Sequence, residues 1–351
     1  MSDAITWALI VLAVLAVQAA EGPREPSGAT PHPEAEGDAT LMGTLANPFG
    51  TPAAIARTIV AAAAGLAVVV GLLTFAGTGG TTSSGVDRNQ QVVSGALQLA
   101  AGAVSLLLFY TGTERIPGLR RLRPGAPISW LAIFLLFESL ASNLGVVSGA
   151  GGGPAPSSPT VHASAGPTAR DLMLGEVPFL AIALASVGVV VRRNLVQALE
   201  RLGLWPLRVP WWVVGIAAGM VLVPVGSWVV GLLDHFATAS CIASTAQAEQ
   251  AIVGTGRTGL EQAGIAIAAG VCEEILFRGA LQPRVGILLS SIVWASYHLQ
   301  YMCNGWPSPA NLYLVLLGLI FGALRKWGGL TPAILAHTVY DGAILLHFLG
   351  A

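Results

Sequence analysis

The chain has 351 residues, of which 54% are hydrophobic and only 10% are charged, and its formal net charge is -1. Soluble domains average about 25% charged residues, so this composition is typical of a membrane protein. A nearly neutral chain lacks the overall basic charge that a nucleic-acid partner favours, and we expect no nucleic acid among its partners.

Apolar runs of roughly 15 to 23 residues follow one another along the chain, most near the ~20 that a spanning helix needs. They lack two-residue alternation, which favours helices over a membrane barrel. We predict an all-α, polytopic membrane helical bundle of about ten transmembrane helices. The runs lie near residues 5–20, 57–77, 91–111, 128–147, 177–191, 211–233, 260–281, 286–302, 311–325 and 331–348.

The first run, "ITWALIVLAVLAVQAA", is open to two interpretations. Val17 and Ala19 resemble a cleavage site of a secretory signal peptide, but the leading "MSDA" carries no basic residue. Cleavage with export would also invert the distribution of basic residues described next. We favour an uncleaved membrane anchor.

The 17 Lys and Arg residues are distributed unequally between the two sides of the predicted bundle. One side receives 14 of them, and the other receives only Arg88, Arg170 and Arg257. Cytoplasmic loops of membrane proteins carry the excess of basic residues. The count predicts an external N-terminus, cytoplasmic loops after the third and fifth helices, and an external C-terminus.

The chain divides into three predicted regions. Residues 1–52 hold a transmembrane helix followed by a flexible loop rich in Pro, Gly and acidic residues, and residues 53–255 hold accessory transmembrane helices with a flexible outer loop at 148–170. Residues 256–351 carry the charged groups described below. Three tryptophans in 199–212 suit a membrane-interface belt: Trp205, Trp211 and Trp212.

Three cysteines are too few for a disulfide framework. Cys241 and Cys303 both fall in predicted outer loops, where a bridge is chemically possible, and two unrelated thiols are an equal alternative.

The segment "VCEEILFRGA" places three charges inside an apolar run. An ionisable residue at membrane depth costs about 2.5–3.5 kcal/mol and is a functional candidate. Residues four apart share a helix face, so Glu274 is expected to pair with Arg278, whereas Glu273 points about 100° away and lacks a local partner. A purely structural knot of these three residues is the alternative.

The next helices add two further pairs at four-residue spacing, Trp294 with His298 and His337 with Asp341. A lone histidine in a membrane helix is often a hydrogen-bonding group between helices. A carboxylate four residues after a histidine can orient its imidazole. The helical rise brings Glu273, both histidines and Asp341 to similar depths, so we expect them to converge near the middle of the membrane.

These residues resemble the CPBP family of intramembrane proteases, which includes CAAX prenyl endopeptidases and bacterial immunity-type homologues of the Abi family. The pattern is E-E-x-x-x-R, an aromatic-x-x-x-H, and H-x-x-x-N or D, over about residues 260–345. The resemblance implies a catalytic core in the last four helices and an endopeptidase of glutamic or metallo type. The site residues would be Glu273, Glu274, Arg278, His298, His337 and Asp341.

Position by position, the resemblance implies that Glu273 activates a water, helped by His298, while Glu274 and Arg278 brace the site. His337 with Asp341 would stabilise the oxyanion. Asp341 stands where the family has Asn or Asp, and an ionised Asp cannot donate a hydrogen bond, so it would rather orient His337.

Zinc is the metal that these residues could hold, because Glu273, His298 and His337 form a Glu plus two His set with water as a fourth ligand. The same three groups suffice for a metal-free mechanism, which we prefer. The expected partners are the lipid bilayer and a membrane-associated protein or peptide substrate.

The expected location is a bacterial plasma membrane, because the Arg-over-Lys, Ala- and Gly-rich composition favours a bacterial source. A prenylated C-terminus is the eukaryotic substrate possibility. The rival hypothesis is a non-proteolytic multi-pass protein, either an immunity scaffold or an ion- or proton-coupled transporter.

Overall fold

The computed structural model describes residues 2–20, 52–76, 88–113, 119, 127–150, 168–189, 191, 193–254, 258–298, 301 and 308–346. Over these ranges the chain is helical and forms no β-sheet, which confirms the predicted all-α class. The N-terminal half contributes α1 Ser2–Ala20, α2 Pro52–Ala76, α3 Arg88–Thr111, α4 Pro127–Ala150, α5 Ala169–Gly175, α6 Val177–Val187 and α7 Leu195–Leu202.

The second half contributes α8 Pro210–Asp234, α9 Ala239–Val253, α10 Gly259–Glu274, α11 Gln282–Val285, α12 Ile287–Ser296, α13 Pro309–Gly328 and α14 Leu330–Leu345. A π-helical segment, Ile275–Leu281, continues α10 without a break. Such wide turns in α-helices are frequent at functional sites.

Local side chains determine where several of these helices begin and end. Thr258 and Ser308 precede α10 and α13, and each forms a reciprocal capping box that satisfies backbone N–H groups of the first turn. Gly203 ends α7 in the left-handed conformation, with φ 84°, which a residue with a side chain adopts only at a cost.

The helices pack as two connected groups. In the first, α3 lies between α2 and α4. In the second, α14 contacts α8, α10 and α13, and α12 packs on α13. Small residues allow α8 to approach α14 closely, since a Cβ at Gly215 would lie 2.5 Å from the Pro332 carbonyl oxygen, and one at Gly219 2.6 Å from that of Ala336.

Four of the described helices are long and apolar enough to cross a membrane: Ala54–Thr74, Val92–Thr111, Pro210–Asp234 and Pro309–Gly328. The predicted count of ten spans is not confirmed. The run at 177–191 is helical only through Val187, and that at 286–302 only through Ser296. Both are shorter than the ~20 residues that a straight spanning helix requires.

The cysteine prediction is tested at two of three positions. Cys241 is disulfide-bonded and Cys272 is a free, buried thiol. Cys303 lies outside the described residues, so its pairing with Cys241 stays a prediction. Of the two predicted flexible stretches, residues 21–51 of the first and residues 151–167 of the second also lie outside the described residues.

Candidate active site

Two adjacent glutamates close α10, and the π-helical segment that follows holds an arginine in the same core. Glu274 and Arg278 are fully buried, and Glu273 is 8% exposed. Burying a charge is costly unless another group compensates it. The arrangement of these three residues therefore depends on the partners that the neighbouring helices supply.

Glu274 receives two partners. Its Oε1 lies 3.1 Å from Arg278 Nη1, which is the ion pair that the four-residue spacing predicts. The same Oε1 also lies 3.1 Å from Nδ1 of His337 on α14. One carboxylate thus joins the π-helical segment to α14, and it neutralises the buried guanidinium.

Arg278 packs between aromatic rings. Its Cζ lies 4.5 Å from the ring centre of Trp294 and 5.7 Å from that of Phe321. The approach to Glu274 is close but lacks the alignment of a hydrogen bond. The guanidinium is therefore held by charge and by cation–π contacts, which are strongest when they are desolvated.

Glu273 has a different partner. The indole Nε1 of Trp294 donates a hydrogen bond to its Oε2. Trp294 is almost completely buried, so this bond fixes one carboxylate oxygen of Glu273. The same carboxylate borders the cavity described below.

His298 lies just beyond the end of α12 and contacts Trp294 twice. Its Nδ1 lies 3.2 Å from the Trp294 carbonyl oxygen, and the two rings are 4.9 Å apart between centres. Asn311, at the start of α13, donates to the His298 carbonyl at 3.1 Å. If His298 Nδ1 carries a proton and donates it to the Trp294 carbonyl, Nε2 of His298 is left with a free lone pair.

His337 is held at both ring nitrogens. Besides the bond to Glu274, its Nε2 lies 3.3 Å from Asp341 Oδ2, as the four-residue spacing predicts. Its ring also stacks on Phe321, with the centres 5.0 Å apart. Asp341 is the more exposed partner, with 26% of its side chain accessible.

The structure differs from the sequence-based expectation in one respect. We expected His337 to meet Glu273, but it binds Glu274 instead. Gly270 and Glu274 are four residues apart, so they share the face of α10 on which α14 packs. The face that bears Glu273 turns toward Trp294 on α12.

A cavity of about 490 Å³ opens beside these groups, which is a usual size for a ligand site. Its lining includes Trp294 and four of the predicted site residues: Glu273, His298, His337 and Asp341. Glu274 and Arg278 are not among the lining residues and lie behind them. The six predicted site residues thus occur together, in two layers.

Glu176 is a site residue that the sequence did not indicate. It lines the same cavity and interacts electrostatically with Glu273, His337 and Asp341. Its Oε2 is buried without a hydrogen-bond partner among the described residues. Glu176 lies between α5 and α6. In the sequence it could have been noticed only as an acidic residue directly before an apolar run that contains Pro178.

The proposed zinc ligands do not fit that metal in this arrangement. The obstacle is His337, because carboxylates engage both of its nitrogens. Over the described residues, no three His, Cys, Asp or Glu side chains are grouped as metal ligands. Zinc binding would require His337 to give up one of these contacts, so we derive no step through a metal.

Comparison with known families adds an independent observation. Residues 259–343 match the family model described as type II CAAX prenyl endopeptidase Rce1-like. No curated protein and no solved structure matches the chain. The matched stretch runs from the start of α10 into α14 and contains all six predicted site residues. The helices from α10 into α14 are therefore similar to Rce1-like type II CAAX prenyl endopeptidases, and they belong to an integral membrane protein.

Proposed function

We propose that this protein is an intramembrane endopeptidase that hydrolyses a peptide bond of a membrane-associated protein or peptide. Glu273 is the residue on which the proposal depends. It is a mostly buried carboxylate at the wall of a cavity, held on one side by an indole N–H and outside the Glu274–Arg278 ion pair. Its second oxygen can accept a proton from a water in that cavity.

The attacking water would lose its proton to Glu273 as its oxygen bonds to the carbonyl carbon. His298 supports this step, because the tautomer favoured by the Trp294 carbonyl leaves Nε2 as a second acceptor near the same cavity. The proton held by Glu273 then passes to the leaving amine as the C–N bond breaks. Proton transfer by a positioned group of this kind contributes about 100- to 10,000-fold to the rate.

The negative charge on the carbonyl oxygen needs a donor. His337 supplies it in our proposal, because Glu274 at Nδ1 and Asp341 at Nε2 favour the form that carries a proton on both nitrogens. Asp341 orients this imidazole and does not itself donate. The Nε2–H would be shared with the oxyanion during the reaction, and such donors are worth about 3–4 kcal/mol in related reactions.

Glu176 is the second acid of the cavity in this scheme. Two neighbouring carboxyl groups readily share one proton, because the charge of the first carboxylate disfavours ionisation of the second. Glu176 would hold and return a proton for Glu273, with which it interacts electrostatically.

The test compares protein termini in membranes from cells that express the wild type, Glu273→Gln or Glu261→Gln. Glu261 belongs to the same helix and forms its capping box, which Gln can also form, so this variant controls for loss of an acid on α10. We expect cleavage products with the wild type and with Glu261→Gln, and none with Glu273→Gln. Identical termini in all three membranes would refute the protease and favour a scaffold or transporter.

The metal-free mechanism is tested on the purified, active protein. We expect metal analysis to find less than stoichiometric zinc and a chelator to leave cleavage unchanged. Stoichiometric zinc that is lost together with activity would establish a metalloprotease instead.

A further inference from the structure

A cluster of cationic side chains lies at one end of the bundle and does not line the active-site cavity. It consists of Arg201 on α7, Arg208 in the linker to α8, and Arg325 and Lys326 in the last turns of α13; we call it the basic cluster. α8 begins at Pro210 and α13 ends at Gly328, and both are candidate membrane spans. The basic cluster therefore lies where two spans leave the membrane on the same side.

Arg325 is the centre of the cluster. Its guanidinium packs directly on the backbone of Gly203, so that a Cβ at this position would lie 2.5 Å from its Cζ. Its Nε is buried and has no hydrogen-bond partner among the described residues. An arginine nitrogen in this state has lost its hydration without gaining an acceptor, which is costly.

The charged groups that act on Arg325 are themselves cationic. Arg201 and Arg208 both interact with it electrostatically. Arg208 is held close by a hydrogen bond of 2.8 Å from its Nη1 to the carbonyl oxygen of Trp327. Arg208 and Arg325 are like charges that repel each other, and an anion between them would relieve the repulsion.

The rim of the cluster is apolar. Trp205 and Trp327 are at least half exposed, as are Leu207 and Val209 in the same linker. Indoles at this depth suit the zone between lipid headgroups and acyl chains. A phospholipid could contact both groups, with its headgroup at the cations and its acyl chains at the indoles.

We propose that the basic cluster binds the phosphate of an anionic phospholipid headgroup, with the acyl chains against Trp205 and Trp327. Arginine suits this ligand because its planar fork donates two parallel hydrogen bonds to phosphate oxygens. Basic pockets between membrane helices bind headgroups by the same chemistry. The bound lipid would join the α7–α8 linker to the end of α13, where Leu330 N already donates to the Gly203 carbonyl at 2.8 Å.

The experiment uses the full-length protein in detergent and measures quenching of its tryptophan fluorescence by phospholipids with brominated acyl chains. Phosphatidylglycerol is compared with phosphatidylcholine, which carries a phosphate but no net charge. The variant is Arg208→Gln, because this side chain is exposed and its loss leaves the half-buried Arg325 in place. The control is Arg170→Gln, which removes the same charge from an exposed position on α5.

We expect wild type and Arg170→Gln to be quenched at lower concentrations of phosphatidylglycerol than of phosphatidylcholine. Loss of one charge-assisted hydrogen bond should weaken apparent phosphatidylglycerol affinity about tenfold in Arg208→Gln. Equal quenching by both lipids in the wild type, or equal affinity in the two variants, would overturn the proposal. If inorganic phosphate in excess abolishes the preference for phosphatidylglycerol, the ligand is free phosphate and the lipid assignment is wrong. None of these outcomes depends on peptidase activity.

Discussion

A methyl group at Gly270 should separate the two halves of the active site. A Cβ there would lie 2.8 Å from Thr338 N and 3.0 Å from Thr338 Cα, and closer still to Thr338 Oγ1. Ordinary contacts begin at 3.4 Å, so the backbones of α10 and α14 must move apart by about 0.6 and 0.4 Å at these atoms. His337 precedes Thr338 in sequence and would move with it.

The displacement is large enough to break the hydrogen bond between His337 and Glu274. The His337–Glu274 distance of 3.1 Å would lengthen to about 3.5–3.7 Å if it took up the whole separation. That lies beyond the usual range of a hydrogen bond. Overpacking of this kind costs about 1–3 kcal/mol in stability, and a shift of about half an ångström should lower the cleavage rate about tenfold.

Gly65→Ala is the matched control for Gly270→Ala. It also adds one methyl group to a helix interior, but a Cβ at Gly65 would meet nothing within 4 Å. Thermal unfolding in detergent and the rate at which cleavage products form would be measured for both variants. If Gly270→Ala is as stable and as active as Gly65→Ala, the close approach of α10 and α14 does not determine the geometry of the site.

Three further predictions concern charge and cross-linking. Arg278→Met should lower the free energy of unfolding by about 3–5 kcal/mol, because it leaves Glu274 charged and buried; adding Glu274→Gln should recover part of this loss, and no recovery would refute the ion pair as its cause. Glu176→Gln should lower kcat at least tenfold with KM little changed, since an amide cannot carry the proton; an unchanged kcat would remove Glu176 from the mechanism. Non-reducing mass spectrometry should find Cys241 linked to Cys303, and alkylation of both without reduction would contradict the bridge.

The helical class and the membrane environment could be predicted from the sequence because they depend on composition and on run length. The pairs Glu274–Arg278 and His337–Asp341 could also be predicted from the sequence, since residues four apart share a face in any α-helix. The 3.1 and 3.3 Å distances agree with that spacing. The π-helical turn at 275–281 leaves the first pair intact, although nothing in the apolar pattern indicated it.

The number of spans was harder to predict from the sequence, because apolar residues also fill the interior of a bundle. The runs at 177–191 and 286–302 are apolar like the candidate spans, but the helices stop at Val187 and Ser296. A left-handed Gly188 ends the first of them, and a turn through Tyr297 ends the second. Hydropathy counts apolar residues and does not distinguish lipid contact from protein contact.

The sequence by itself indicated six residues of the candidate site, whereas the tertiary structure decided which of them touch and added Glu176. Spacing within one helix is fixed by backbone geometry, but contacts between helices depend on how closely their backbones approach. Gly270 allows α14 to reach the face of Glu274, so His337 binds that residue and leaves Glu273 to Trp294. Glu176 joins them from a separate part of the chain, since the break between α5 and α6 lies at the cavity wall.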